Sequence, residues 1–219
     1  MRTVRPMRQA LVAVLLVLAV CGAALAANGD PQRRITPADQ ARARAMLLRA
    51  SDLNAAYTSH PSPSSGGGFY CAALDESDLT VTGSATSPSF TSTAEFVVSR
   101  ADVYASRAES NASWSRGTSA AGQECLRAGV RRQLQGTAVR LVSFKRLAFP
   151  TRGQRSVAYR AIASQQGLRI YVDVVAIQVS RAQASVLYVS GLSPPPQDEL
   201  RRLTGIVATR AARAMRGSS

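Results

Sequence analysis

Few residues in this chain have the type and spacing that chemistry needs. Its only histidine, His60, precedes Pro61 inside the broken polar stretch 58–68, with no thiol or carboxylate at a triad-like or ligand-like interval. No Gly-x-Ser-x-Gly turn is present to raise a serine nucleophile. Asp75, Glu76 and Asp78 crowd together, but they lack the spaced acids, central glycine and closing glutamate of a calcium loop. They read instead as a solvated turn before a strand. No catalytic residue, metal ligand or cofactor motif is assigned, and the chain is not expected to be an enzyme.

The cysteines point to a compartment rather than a reaction. Arg2, Arg5 and Arg8 precede an uncharged apolar run over 10–27, then Asn28, Gly29 and Asp30. This is the pattern of a secretory signal peptide over 1–26. Ala24-Leu25-Ala26 supplies the small residues of a peptidase site, so cleavage is expected between Ala26 and Ala27. Two rivals stay open. The run is about the minimum that spans a bilayer core of roughly 30 Å uncleaved, and Leu18-Ala19-Val20-Cys21 has the outline of a lipid-attachment site. With Cys21 in the leader, Cys71 and Cys125 are an even number in an oxidising compartment and are expected to form a disulfide. The protein is therefore expected outside the cytoplasm, secreted or associated with the cell envelope.

Charge suggests a partner class. The chain has 27 basic residues, of which only Lys145 is lysine, against 13 acids, for a net charge of +14. Arginine with abundant alanine fits the codon bias of a high-GC bacterium. Without the leader arginines, 24 basic residues still face 13 acids. That excess favours anionic envelope polymers or lipid headgroups, or is simply a solvated basic surface. Specific nucleic-acid binding is not expected of an exported chain.

The elements that must carry any site follow from periodicity. Segments 138–148, 154–164, 168–179 and 184–191 are rich in Val, Ile, Leu and Tyr and separated by short turns, which predicts an antiparallel meander. Residues 172–179 are apolar on both faces, as a central strand should be. The first half of segment 168–179 alternates Leu168, Ile170 and Val172 with Arg169, Tyr171 and Asp173, so one face begins exposed or meets a polar layer. Two further strands are predicted over 79–85 and 93–103. Thr36-Pro37-Ala38-Asp39 opens a helix that runs to about 49–52, and Ser106-Arg107-Ala108-Glu109 opens a second. Helices over 119–134 and 197–215 complete the set.

The expected fold is α+β: a flexible lead-in over 27–35, then one domain over 36–216. Its antiparallel sheet has about six strands, helices packed mainly on one face, and one disulfide. A cleft between sheet and helices is the natural place for a ligand. Trp114, Tyr159, Tyr171 and Tyr188 are candidates to line it, though none is assigned as a site residue.

Residues 46–53 (Met-Leu-Leu-Arg-Ala-Ser-Asp-Leu) precede a Ser/Pro/Gly loop and a cysteine. Phe96-Val97-Val98 and Val103-Tyr104-Ala105-Ser106 then lead to an alanine-rich helix near a second cysteine. This pattern resembles actinobacterial secreted or lipoprotein sensor-like domains, such as the extracellular domain of PknH-type serine/threonine kinases. The resemblance implies a one-domain α/β fold with a ligand-accommodating cleft. The chain departs from it in having no kinase domain and only one cysteine pair after the leader. The functional expectation is a non-enzymatic extracytoplasmic ligand-binding or sensor-like module of the cell envelope, taking a small or lipid-like ligand. The alternative is an envelope interaction or structural protein that holds an anionic polymer or a protein partner through its basic surface.

Overall fold

A computed structural model describes residues 29–61, 71–191 and 193–216. The expected signal peptide, its cleavage site Ala26/Ala27 and Cys21 lie outside the described residues, as does loop 62–70. The strands are β1 (Gln32–Arg33), β2 (Thr58–His60), β3 (Thr80–Thr86), β4 (Ser89–Thr91), β5 (Glu95–Tyr104), β6 (Val139–Leu147), β7 (Arg155–Gln165), β8 (Leu168–Val179) and β9 (Ala182–Ser190). The helices are α1 (Pro37–Met46), α2 (Arg107–Thr118), α3 (Ala120–Leu134) and α4 (Gln197–Ala214).

The strands form one sheet in the order β1-β3-β5-β9-β8-β7-β6, with β4 paired to β5 and β2 to β4. Nine strands replace the expected six or so, and the sheet is mixed, because β1 runs parallel to β3 while the other pairs are antiparallel. The excess comes from β1, β2 and β4, which are two or three residues long. Such stretches are too short to show an alternation. His60, expected in a loop, stands on β2. It is exposed, and its Nε2 lies 2.9 Å from Thr91 Oγ1.

Helices cover both sheet faces, not mainly one. On the first face, α1 and α4 bury Ala43, Met46, Leu200, Leu203 and Val207 against Val97, Val103, Val175 and Val186. On the second, Leu134 and Val130 of α3 meet Phe96, Val98, Val172 and Leu187. Phe96, Val97 and Val98 alternate between the two cores, which is why that run is apolar without a break. Each large aliphatic side chain buried in this way stabilises the fold by about 1.5–3 kcal/mol.

Local rules account for the helices. Thr36 Oγ1 caps α1 by accepting from the Asp39 amide at 3.2 Å, and Pro37 stands at its first position. The first turn of α1 lies directly on β3 at Gly83, where an added Cβ would stand 2.2 Å from the Asp39 carbonyl oxygen. In α4, much of the basic surface is tied down: Arg201 pairs with Asp198, Arg202 with Glu199 and Arg210 with Asp52. On β8 the polar face begins exposed at Arg169 and then meets a polar layer at Asp173, which is fully buried and held by Arg160 through two hydrogen bonds of 2.6 Å.

Candidate functional site

A cleft of about 190 Å³ lies between the second sheet face and the α2–α3 pair. Its floor is set by cross-strand register. Arg100 on β5 stands opposite Ser185 on β9, Ser185 opposite Ala176 on β8, and Ala176 opposite Val157 on β7. In the neighbouring row Val174 faces Tyr159. Two small side chains, Ser185 and Ala176, thus sit side by side in the middle of the sheet, and the floor dips there because nothing larger fills the space.

Trp114, Gly117 and Thr118 of α2 and Leu126 and Val130 of α3 form the roof. The two helices meet at Ser119, whose Oγ caps α3 by accepting from the Gly122 amide at 2.9 Å. Gly122 is required by crowding: a Cβ there would lie 2.0 Å from the Arg116 carbonyl oxygen. The expected disulfide between Cys71 and Cys125 is present, with Cα atoms 6.1 Å apart. It ties α3 beside Leu126 to the turn that carries Leu74 and Glu76, both of which line the cleft. The staple is therefore part of the roof's support.

Aromatic rings shape the apolar end. Tyr159 stacks on Phe144 with ring centroids 5.6 Å apart. Arg155 lies over the Trp114 ring at 5.2 Å and donates to Asn111 Oδ1 at 2.6 Å and to Gln178 Oε1, so the indole is held in place. The Tyr159 hydroxyl is buried and finds no hydrogen-bond partner among the described residues. Burial pushes its pKa up.

The opposite end is polar. Arg100 donates to Asp102 at 2.9 and 3.3 Å. The Tyr104 hydroxyl donates to Glu76 Oε2 at 3.2 Å and lies 2.8 Å from Ser113 Oγ. Burial raises the Glu76 carboxyl above its usual range, against the Tyr104 and Ser113 hydroxyls, which favour its ionised form. Asp30 completes this end.

Of the aromatics considered from sequence, Trp114 and Tyr159 line the cleft. Tyr188 belongs to the opposite core, where its hydroxyl lies 2.8 Å from that of Tyr57, which donates to Glu95 at 2.6 Å. Tyr171, two residues before Asp173 on β8, shares that opposite face.

Residues 75–78 are not simply a solvated turn. Asp75 Oδ1 accepts from the Ser77 amide at 2.9 Å, and exposed Asp78 holds Arg116 at 2.6 and 2.7 Å. Glu76 is the one that turns into the cleft. Arg100 and Asp102 were also missed. Their signal was available: they continue the face of β5 that begins apolar at Phe96 and Val98, and a charged pair on a covered face needs a reason. No known protein family pattern matches the chain, and no curated protein matches it.

Proposed function

We propose that this protein is a non-enzymatic ligand-binding or sensor-like module that works outside the cytoplasm at the cell envelope, with the α2–α3 cleft as its site. The observation that carries the reading is the cleft itself, an apolar slot with a polar end in the middle of a covered sheet. A disulfide beside its roof suits an oxidising compartment. The charged and hydroxyl groups at its polar end are engaged with one another as recognition groups, Arg100 by Asp102 and Tyr104 by Glu76. The resemblance to PknH-type sensor domains belongs to this proposal and points the same way.

The test is native, then denaturing, mass spectrometry on protein isolated from its own host's envelope and culture fluid. A small molecule retained through high salt is the expected result. Protein that carries nothing and binds no small apolar ligand at any salt concentration would overturn it. The denatured mass also reports whether the chain starts at Ala27, at a lipidated Cys21 or at Met1.

A second reading, attachment to an anionic envelope polymer, is favoured by one surface. Arg140 and Lys145 on β6 and Arg169 on β8 are exposed and share one side of the sheet, opposite Ser164 and Arg160 of β7. Binding through them should collapse as salt rises, because exposed charges are screened beyond about 10 Å at 0.1 M.

A further inference from the structure

The cleft has the wrong charge for the rest of the molecule. The chain as a whole is strongly basic, at +14. The charged residues that line the cleft are Asp30, Glu76, Asp102 and Arg100. Arg100 is already held by Asp102 through two hydrogen bonds, so the lining carries three acids against one cation, with Glu76 and Asp30 outside that ion pair at one end of an apolar slot. Just outside, Asp75 and Asp78 add two more acids, and the nearby cation Arg116 is taken by Asp78 at 2.6 Å. Low-dielectric walls focus such a field on whatever enters.

Shape narrows the ligand further. The lining crosses five neighbouring strands, β5, β9, β8, β7 and β6, about 19 Å at ordinary strand spacing. A volume of about 190 Å³ spread over that length is a slot, and it is only modestly larger than the roughly 150 Å³ that holds one benzene ring. A single alkyl chain suits it; a fused ring system does not. At the far end the Tyr159 hydroxyl, on a residue only 7% exposed, has no partner among the described residues. Buried polar groups are rarely left so.

We propose that the cleft binds a slender amphipathic amine, its chain lying over Ser185, Ala176 and Val174 beneath Trp114 and its ammonium group set against Glu76. The inference rests on the reading of the cleft as a ligand site. It adds the sign of the ligand's charge, which excludes fatty acids and other carboxylates by repulsion from Glu76 and Asp30.

Three probes with one chain separate the two ideas: octylamine, octanol and octanoate, titrated calorimetrically into the mature protein with its disulfide intact. The expected order is octylamine tightest, octanol weaker and octanoate weakest. Glu76→Gln, which keeps an acceptor for Tyr104, should weaken octylamine about tenfold and octanol much less. Ala176→Leu, which fills the dip in the floor, should abolish all binding while circular dichroism and melting show an intact fold. Equal binding of the three probes, or tighter octanoate, overturns the amine proposal and leaves the cleft reading standing. Failure of all three probes, or probe binding that Ala176→Leu leaves unchanged, overturns the cleft reading itself.

Discussion

Replacing Asp39 by alanine should cost far more than removing an ordinary ion pair. The side chain is 8% exposed and accepts from Arg181 at 2.7 and 2.9 Å, from Arg42 at 2.6 Å and from the Thr82 hydroxyl at 2.6 Å. Arg181 is 16% exposed and also donates to the Tyr104 carbonyl at 2.7 Å. One carboxylate thus joins α1, β3 and the β8–β9 turn. A surface pair is worth about 0–1 kcal/mol, whereas breaking a buried pair and stranding its partner costs about 3–5 kcal/mol. Slight exposure of Arg181 places the expected loss near the lower end, about 3 kcal/mol, out of a total of roughly 5–15 kcal/mol. The melting temperature should fall by about 10 °C. The assay is urea unfolding followed by circular dichroism, with Asp39→Leu/Arg181→Met as the companion, since an apolar replacement of the whole pair should recover much of the loss. The Arg181 hydrogen bonds hold the Asp39 carboxyl well below the usual range. Its contribution is therefore complete above the unfolded value of about 3.9 and is lost as pH falls towards the folded value. The gap between wild type and Asp39→Ala should close over that acidic window. A variant within 1 kcal/mol of wild type at neutral pH would refute the reasoning.

Reducing the Cys71–Cys125 disulfide, which spans 54 positions, should cost about 4 kcal/mol on the chain-entropy account, read as a lower urea midpoint with reductant. A midpoint that does not move would show that the unfolded chain is not constrained by it. Gly83→Ala should destabilise by about 1–3 kcal/mol, because its Cβ meets the α1 backbone and not a side chain that can turn away. Two tyrosines should behave oppositely. Tyr159→Phe removes a hydroxyl without a partner and should be neutral or stabilising by thermal melt, whereas Tyr104→Phe leaves Ser113 and Glu76 short of a bond and should cost about 1–3 kcal/mol.

Legibility in the sequence followed the length and regularity of each element. The six long strands and the helices were visible because alternation and capping repeat over many residues: Thr36-Pro37 and Ser106 with Glu109 cap as expected, and Cys71 meets Cys125. β1, β2 and β4 were invisible, because Gln32–Arg33, Thr58–His60 and Ser89–Thr91 owe their pairing to neighbours and not to pattern. Two-sided helix cover was written in β5, yet an apolar run does not say which helices lie on which side. The cleft was half legible. Trp114 and Tyr159 stood out as rare aromatics, but Ser185 and Ala176 make the cavity by being small, and small residues carry no signal until register sets them side by side.

The acids of this chain divide in a way that bears on the cleft. Asp52, Asp75 and Asp78 are drawn below their usual range by hydrogen bonds from Arg210, from Ser77 and from Arg116, as Asp39 is by Arg181. Glu76 moves the other way, raised by burial. The groups that face it are Tyr104 and Asp102 from β5, Ser113 and Arg116 from α2, and Asp30 from the lead-in. A raised folded value means that its contribution to stability is complete below the unfolded value of about 4.3 and is lost as pH rises through the folded value. Glu76→Gln should therefore gain stability over wild type as pH rises above about 4.3 and through the raised folded value, while wild type lags. A bound ammonium group would offset that cost in the ionised protein, so octylamine should raise the wild-type melting temperature most at the upper end of the window and not rescue the variant. Melting curves of the two proteins that run parallel across this range, with and without the amine, would show that Glu76 pays nothing for its position and that the cleft has no use for a cation.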